Sequence, residues 1–100
     1  MTKLQPNEQQ LTGSWVAQDG KVHGDAICER IKWLLAHQLQ KIADSPQWGA
    51  WETLYRDPDD GRYWERTYPQ SGLQGGGPPE LRVLTTEQAK QKYGVQVVQS

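Results

Sequence analysis

Residues 51–68 read WETLYRDPDDGRYWERTY, two alternating runs separated by a turn sequence. WETLYR (51–56) and RYWERTY (62–68) both follow the two-residue period of a strand. Between them, Asp57-Pro58-Asp59-Asp60-Gly61 supplies a proline that presets φ for a type I turn. Its glycine can take the left-handed position of a bulge, so the two runs are expected to pair as a hairpin. One face then brings Trp51 and Tyr55 against Trp64 and Tyr68; the other carries Glu52, Arg56, Tyr63 and Glu65. Arg66 falls between Trp64 and Tyr68 on the core face. Either its stem packs while its head reaches water, or the two faces are reversed.

N-terminal to the hairpin, Asp25 is a good N-cap for a helix running from Ala26 to about Ala43. Ile27, Ile31, Leu34, Leu35, Leu39 and Ile42 recur at helical spacing and span an arc of roughly 140°. Cys28 lies inside that stripe. Trp33 lies on the far side, among Glu29, Arg30, His37 and Gln40. Asp44-Ser45-Pro46 stops the helix, because proline disfavours helix in the residue before it. Further upstream, LTGSWVA (11–17) reads as a strand, Gln18-Asp19-Gly20-Lys21 as a turn, and Val22 as the start of a return strand. Residues 1–10 are polar and without period. They are expected to form a flexible tail, leaving 11–100 as a single domain.

C-terminal to the hairpin, Pro69 through Pro79 is irregular chain, long for so small a domain. Within it, Gly75-Gly76-Gly77 reads as backbone passing close to other chain. Leu81–Leu84 is expected as a third strand of the sheet. Thr85 or Thr86 caps a short helix through Gln91, Tyr93-Gly94 ends it, and residues 95–98 form an edge strand. The sum is an α+β domain, a long amphipathic helix packed on a small antiparallel sheet, with a short C-terminal helix.

Composition narrows the function. The chain has 100 residues, with 11 Lys+Arg against 12 Asp+Glu, which argues against a general nucleic-acid binder. No apolar run approaches the roughly 18–20 residues of a membrane helix, and MTKLQPNEQQ (1–10) has no signal-peptide core. The single cysteine excludes an intrachain disulfide framework and a multi-Cys zinc site. A cytoplasmic protein is expected. Five Trp and four Tyr with no Phe suit a small core short of Ile and Val; they also suit a platform for carbohydrate.

The reactive inventory is thin: Cys28, His23, His37 and Asp25. Cys28 is expected to be a small buried hydrophobe, and Asp25 is explained by capping. Two histidines without a third ligand make a poor zinc signature. Asp57, Asp59 and Asp60 resemble a calcium loop only superficially, since turn chemistry accounts for all three. No catalytic residues, cofactor or metal site are expected.

The segment LYRDPDDGRYWERTYPQSGLQGGGPPEL (54–81), preceded by LTGSWV (11–16) and by a helix beginning near CERI (28–31), resembles the immunity protein 27 family. Such proteins are encoded beside bacterial polymorphic toxins. The resemblance implies a non-catalytic binder whose partner is a cognate toxin domain, neutralised by occlusion. Family members tend to carry an acid and a histidine before the triple glycine. Here Gly72 and Gln74 occupy those places, so that role does not transfer. For such a binder the expected contact residues are Trp33 on the outer helix face, Asp59 and Asp60 in the turn, and Tyr63 and Glu65 beside Arg56. The alternatives are a small carbohydrate- or ligand-binding module using exposed Trp and Tyr and, less favoured, a Cys/His enzyme.

Overall fold

The computed structural model describes residues 1–70 and 77–98. Its centre is the expected hairpin: β5 (Gly49–Arg56) pairs with β6 (Tyr63–Thr67), setting Tyr55 opposite Trp64 and Thr53 opposite Arg66. β7 (Glu80–Leu84) adds to β6, and β1 (Gln10–Thr12) closes one edge against β7. The other edge is β4 (Gln40–Ser45), giving a five-stranded antiparallel sheet of order β1-β7-β6-β5-β4. β2 (Trp15–Gln18) and β3 (Lys21–Gly24) form a separate two-stranded hairpin.

The molecule is therefore mostly sheet, and the long amphipathic helix does not exist. α1 spans only Ala26–His37, and residues expected as its second half are strand β4. Leu39 and Ile42 satisfy the helical period, yet a strand buries them as well. Leu39 joins the core on one side of the sheet and Ile42 packs on the other. Gln38 decides the outcome. Its buried side-chain amide donates to Asp57 Oδ2 at 2.9 Å and its Oε1 accepts the Leu4 N–H at 2.9 Å, so the chain is pinned where the helix ends. Asp25 caps α1 as expected, accepting the Cys28 N–H at 2.9 Å.

Both sheet faces are covered. α1 lies over a cluster that includes Ile31, Leu34, Tyr55, Trp64 and Leu81. On the opposite face, α2 (Thr86–Tyr93) and the chain after it cover Leu54, Tyr63 and Leu84 with Ala89, Tyr93 and Val98. A capping box between Thr85 and Gln88 starts α2. The expected edge strand at 95–98 is instead a turn held by Val98 N–H donating to Gly94 O at 3.3 Å. The single strand expected at 11–17 is split, with Leu11 in the main sheet and Trp15 in the hairpin. Gly13 makes the break: a Cβ there would meet Cys28 Sγ at 2.5 Å and Pro79 O at 2.8 Å.

The first ten residues, expected as a tail, lie against this body. Leu4 is buried in the α1-side core. Glu8 makes a two-pronged ion pair with Arg30, at 2.6 and 2.7 Å. That guanidinium lowers the Glu8 carboxyl from its ordinary 4.5 to about 2. Because the folded value is depressed, the stabilisation is present above about pH 4.5 and is lost as pH falls toward 2. Both side chains keep some solvent contact, so the contribution is about 1 kcal/mol. Glu8→Gln should lower the urea midpoint at pH 6 and converge on the native chain as pH falls toward 2; equal midpoints at pH 6 would exclude it.

Gly61 closes the β5–β6 turn at φ +80. Its N–H donates to Asp57 O at 2.7 Å, and a Cβ would sit 3.4 Å from Arg56 Nη2. Gly61→Val is expected to cost about 2 kcal/mol, the usual penalty for a β-branched residue in left-handed backbone. An unchanged melting temperature would refute it.

Candidate functional site

The β4–β5 connection is a turn organised by one serine. Ser45 Oγ accepts the N–H groups of Gln47 at 3.2 Å and Trp48 at 3.0 Å. This fixes the backbone beneath Trp48, whose indole remains 57% exposed. Trp51 follows at the start of the hairpin, 53% exposed, with its ring edge-on to Tyr68 at 5.7 Å. The sequence correctly places Trp51 and Tyr68 on the face of Tyr55 and Trp64. Trp51, however, stays largely outside the core that closes over the other two.

These rings border a cleft of about 670 Å³. Trp48, Trp51, Tyr68 and Pro69 form its aromatic side, and Glu52, Thr67, Glu80 and Arg82 its polar side. Arg66 stays on the face shared with Trp64. Its guanidinium stacks 4.8 Å above Tyr68 and donates to Thr53 Oγ1 at 2.9 Å and to Ala50 O. The faces are therefore as expected and the stem packs, but the head is held against Ala50, Thr53 and Tyr68, with its Nε buried, and is not carried out to water.

Next to the cleft lies a buried charge network. Glu65 is fully buried, and its Oε2 takes the Lys92 ammonium at 2.6 Å and the Tyr93 hydroxyl at 2.8 Å. Its Oε1 faces Arg82 at 3.3 Å. Lys92 also reaches Glu52 at 3.0 Å. Burial works against the Lys92 charge, but hydrogen bonds to Glu65 and Glu52 outweigh it and raise its pKa. Burial, reinforced by Glu65, pushes the Tyr93 phenol far above its ordinary value, so it stays a neutral donor.

The residues singled out from sequence do not form one surface. Tyr63 and Glu65 are buried, the first in the α2-side core and the second in the charge network, which corrects the expectation that they face a partner. Trp33 is half-buried, packed on the α1-side core with its ring 5.4 Å from His37, and is not the outward indole expected. Ile27 is the large apolar side chain of α1 left exposed instead. Arg56 is half-buried behind Gly61. Asp59 and Asp60 are exposed in the turn, paired with Lys3 at 3.3 Å and Arg62 at 2.6 Å. They sit at the opposite end of the hairpin from Trp51 and Tyr68. Gly72, Gln74, Gly75 and Gly76 lie outside the described residues. Trp48 escaped the sequence reading. Its signal was local: an indole beside Pro46 and Gly49, in a turn where no core can form around it.

Cys28 is buried, its thiol directed at Ser14 O at 3.5 Å. Burial, together with the Asp25 carboxylate, raises its pKa, the reverse of what a nucleophile needs. Thiol reagents should modify it slowly in the native protein and rapidly in urea; equal rates would overturn the burial. His23 is turned to Gly24 O and Gln18 Oε1. Among the described residues no three metal-ligating side chains cluster, and no helix is long and apolar enough to cross a membrane.

Comparison with known proteins gives one match. The model of the family described as immunity protein 27 covers residues 17–85. No curated protein and no solved structure matches the chain.

Proposed function

The chain belongs to the immunity protein 27 family, and from that premise we propose that it binds a cognate bacterial toxin domain and neutralises it by occlusion, without catalysis. The observation that supports this reading is the pair of indoles at the cleft. A chain that buries Trp64 completely leaves Trp48 and Trp51 more than half exposed, on a turn already fixed by Ser45. Rigid aromatic anchors beside an arginine are the composition of binding hot spots, and a preformed turn spares the entropy of ordering them. Asp59 and Asp60, exposed at the far end of the hairpin and each paired with a cation of this chain, would add charge to steer the partner's approach.

The test is co-expression with the toxin domain encoded beside its gene. Growth should be rescued and a stable complex should co-purify. Trp48→Ala combined with Trp51→Ala should abolish rescue while leaving the melting temperature nearly unchanged. Rescue without a complex would sink the reading. Two exposed tryptophans lining one cleft also favour a carbohydrate module as the second reading. Quenching of tryptophan fluorescence by oligosaccharides, with no toxin complex, would favour it.

A further inference from the structure

The two edges of the main sheet are guarded. β1 offers only three residues, while β4 is interrupted by register shifts and carries Lys41 and Asp44. Short, bulged or charged edges resist the addition of another strand. β2 has none of these protections. Trp15, Val16, Ala17 and Gln18 are all exposed, uncharged and in unbroken register with β3. Their sheet has only two strands, an arrangement that is marginal on its own and gains from a third.

The phase of the ladder shows which backbone groups face outward. Asp19 and Gly20 both have positive φ, the two-residue turn that makes Gln18 and Lys21 a hydrogen-bonded pair. At the other end, the Asp25 N–H donates to Ser14 O at 3.0 Å, in the same phase. Val16 therefore bonds inward to His23, and the N–H and C=O groups of Trp15 and Ala17 point away from β3. Among the described residues nothing bonds to them. The β3 edge is less open: a His23 ring nitrogen lies 2.9 Å from Gly24 O, and the chain turns there into α1.

We propose that β2 pairs with β2 of a second copy of this chain, antiparallel, about a two-fold axis at Val16. The strand is its own complement. With Val16 opposite Val16, Trp15 of each copy meets Ala17 of the other, and these are the residues whose backbone groups are free to exchange hydrogen bonds. The side chains agree with that register. Both Val16 side chains, exposed in the single copy, meet at the axis in the close, non-hydrogen-bonded pairing. On the other face a large indole lies opposite a small methyl. Gln18 falls opposite Ser14, also exposed, so no charge meets its own copy, the usual obstacle to self-pairing. The two ribbons become one four-stranded sheet with an isologous contact. This pairing is independent of the toxin reading.

The test is self-association of the full chain. A four-residue strand on each side is far smaller than the roughly 20–30 residues of a stable interface. The dimer is therefore weak, and is sought by NMR over a concentration series reaching millimolar. Translational diffusion should slow with concentration, and the amides of Trp15 and Ala17 should shift and gain exchange protection together. Ala17→Pro removes an outward N–H that β3 does not use; it should abolish association and leave the melting temperature nearly unchanged. Val16→Lys and Val16→Glu alone should each weaken association roughly fivefold, by setting like charges together at the axis, and an equal mixture of the two should restore it. A chain that stays monomeric throughout, association that survives Ala17→Pro, or a mixture no better than either variant alone would each overturn the proposal. So would protection of Trp15 and Ala17 that appears only when the toxin domain is added, which assigns the edge to a toxin strand.

Discussion

Glu65→Ala is expected to destabilise the protein by about 3 kcal/mol, because a fully buried carboxylate would vanish from beneath three groups that depend on it. The Tyr93 hydroxyl would be stranded in the α2-side core without its acceptor. Lys92 would keep Glu52, and Arg82, half exposed, could turn to water, which holds the loss to the lower part of the range for broken buried pairs. Urea denaturation at neutral pH measures it. A loss below about 1 kcal/mol, the worth of an ordinary surface pair, would mean that the network contributes little. A double-mutant cycle with Tyr93→Phe separates the hydrogen bond from the charge pairs.

The hairpin was legible because its evidence is local. Alternation, a proline and a glycine within eighteen residues specify two strands and a turn, and Trp51, Tyr55, Trp64 and Tyr68 share a face as read. The helix was half legible for the same reason. Asp25 and the spacing of Ile31 and Leu34 mark its start, but the spacing of Leu39 and Ile42 fits a strand equally well when both sheet faces are buried. Two-sided burial also misled the site assignment. Tyr63 and Glu65 alternate away from the aromatic face and so read as solvent-facing, whereas α2 covers them. Nothing near Glu65 in sequence announces Lys92 and Tyr93, which lie more than twenty residues away. Trp33 fell outside the stripe by angle, yet it packs on the core, as Leu35 and Val83 also do. A helix resting on a twisted sheet covers more than one narrow arc.

Asp57 shows the same limit at its sharpest, and Asp57→Ala should cost about 3 kcal/mol. From sequence it is the first residue of a turn. Its Oδ1 does accept the Asp59 N–H at 2.9 Å, as an aspartate in that place should. The residue is nonetheless buried, and its other oxygen takes the Gln38 side-chain amide, whose carbonyl in turn accepts the Leu4 N–H. One carboxylate thereby ties together the hairpin turn, the end of α1 and the N-terminal segment. Alanine would leave the Gln38 amide and the Asp59 N–H without their acceptor, and each hydrogen bond to a charged group contributes about 1.5–3 kcal/mol. Such losses in a shared network are not additive, which keeps the total near 3. Asp57→Asn separates the two roles, since its amide oxygen can serve the turn while its NH₂ group faces the Gln38 amide donor. The asparagine variant should therefore recover the turn but not the link to Gln38, with an intermediate urea midpoint. Amide exchange at Leu4 is the sharper readout. It should accelerate in both variants, while the β5–β6 amides keep their protection only in the asparagine form; retained protection of Leu4 in either variant would show that Gln38 holds its place without Asp57.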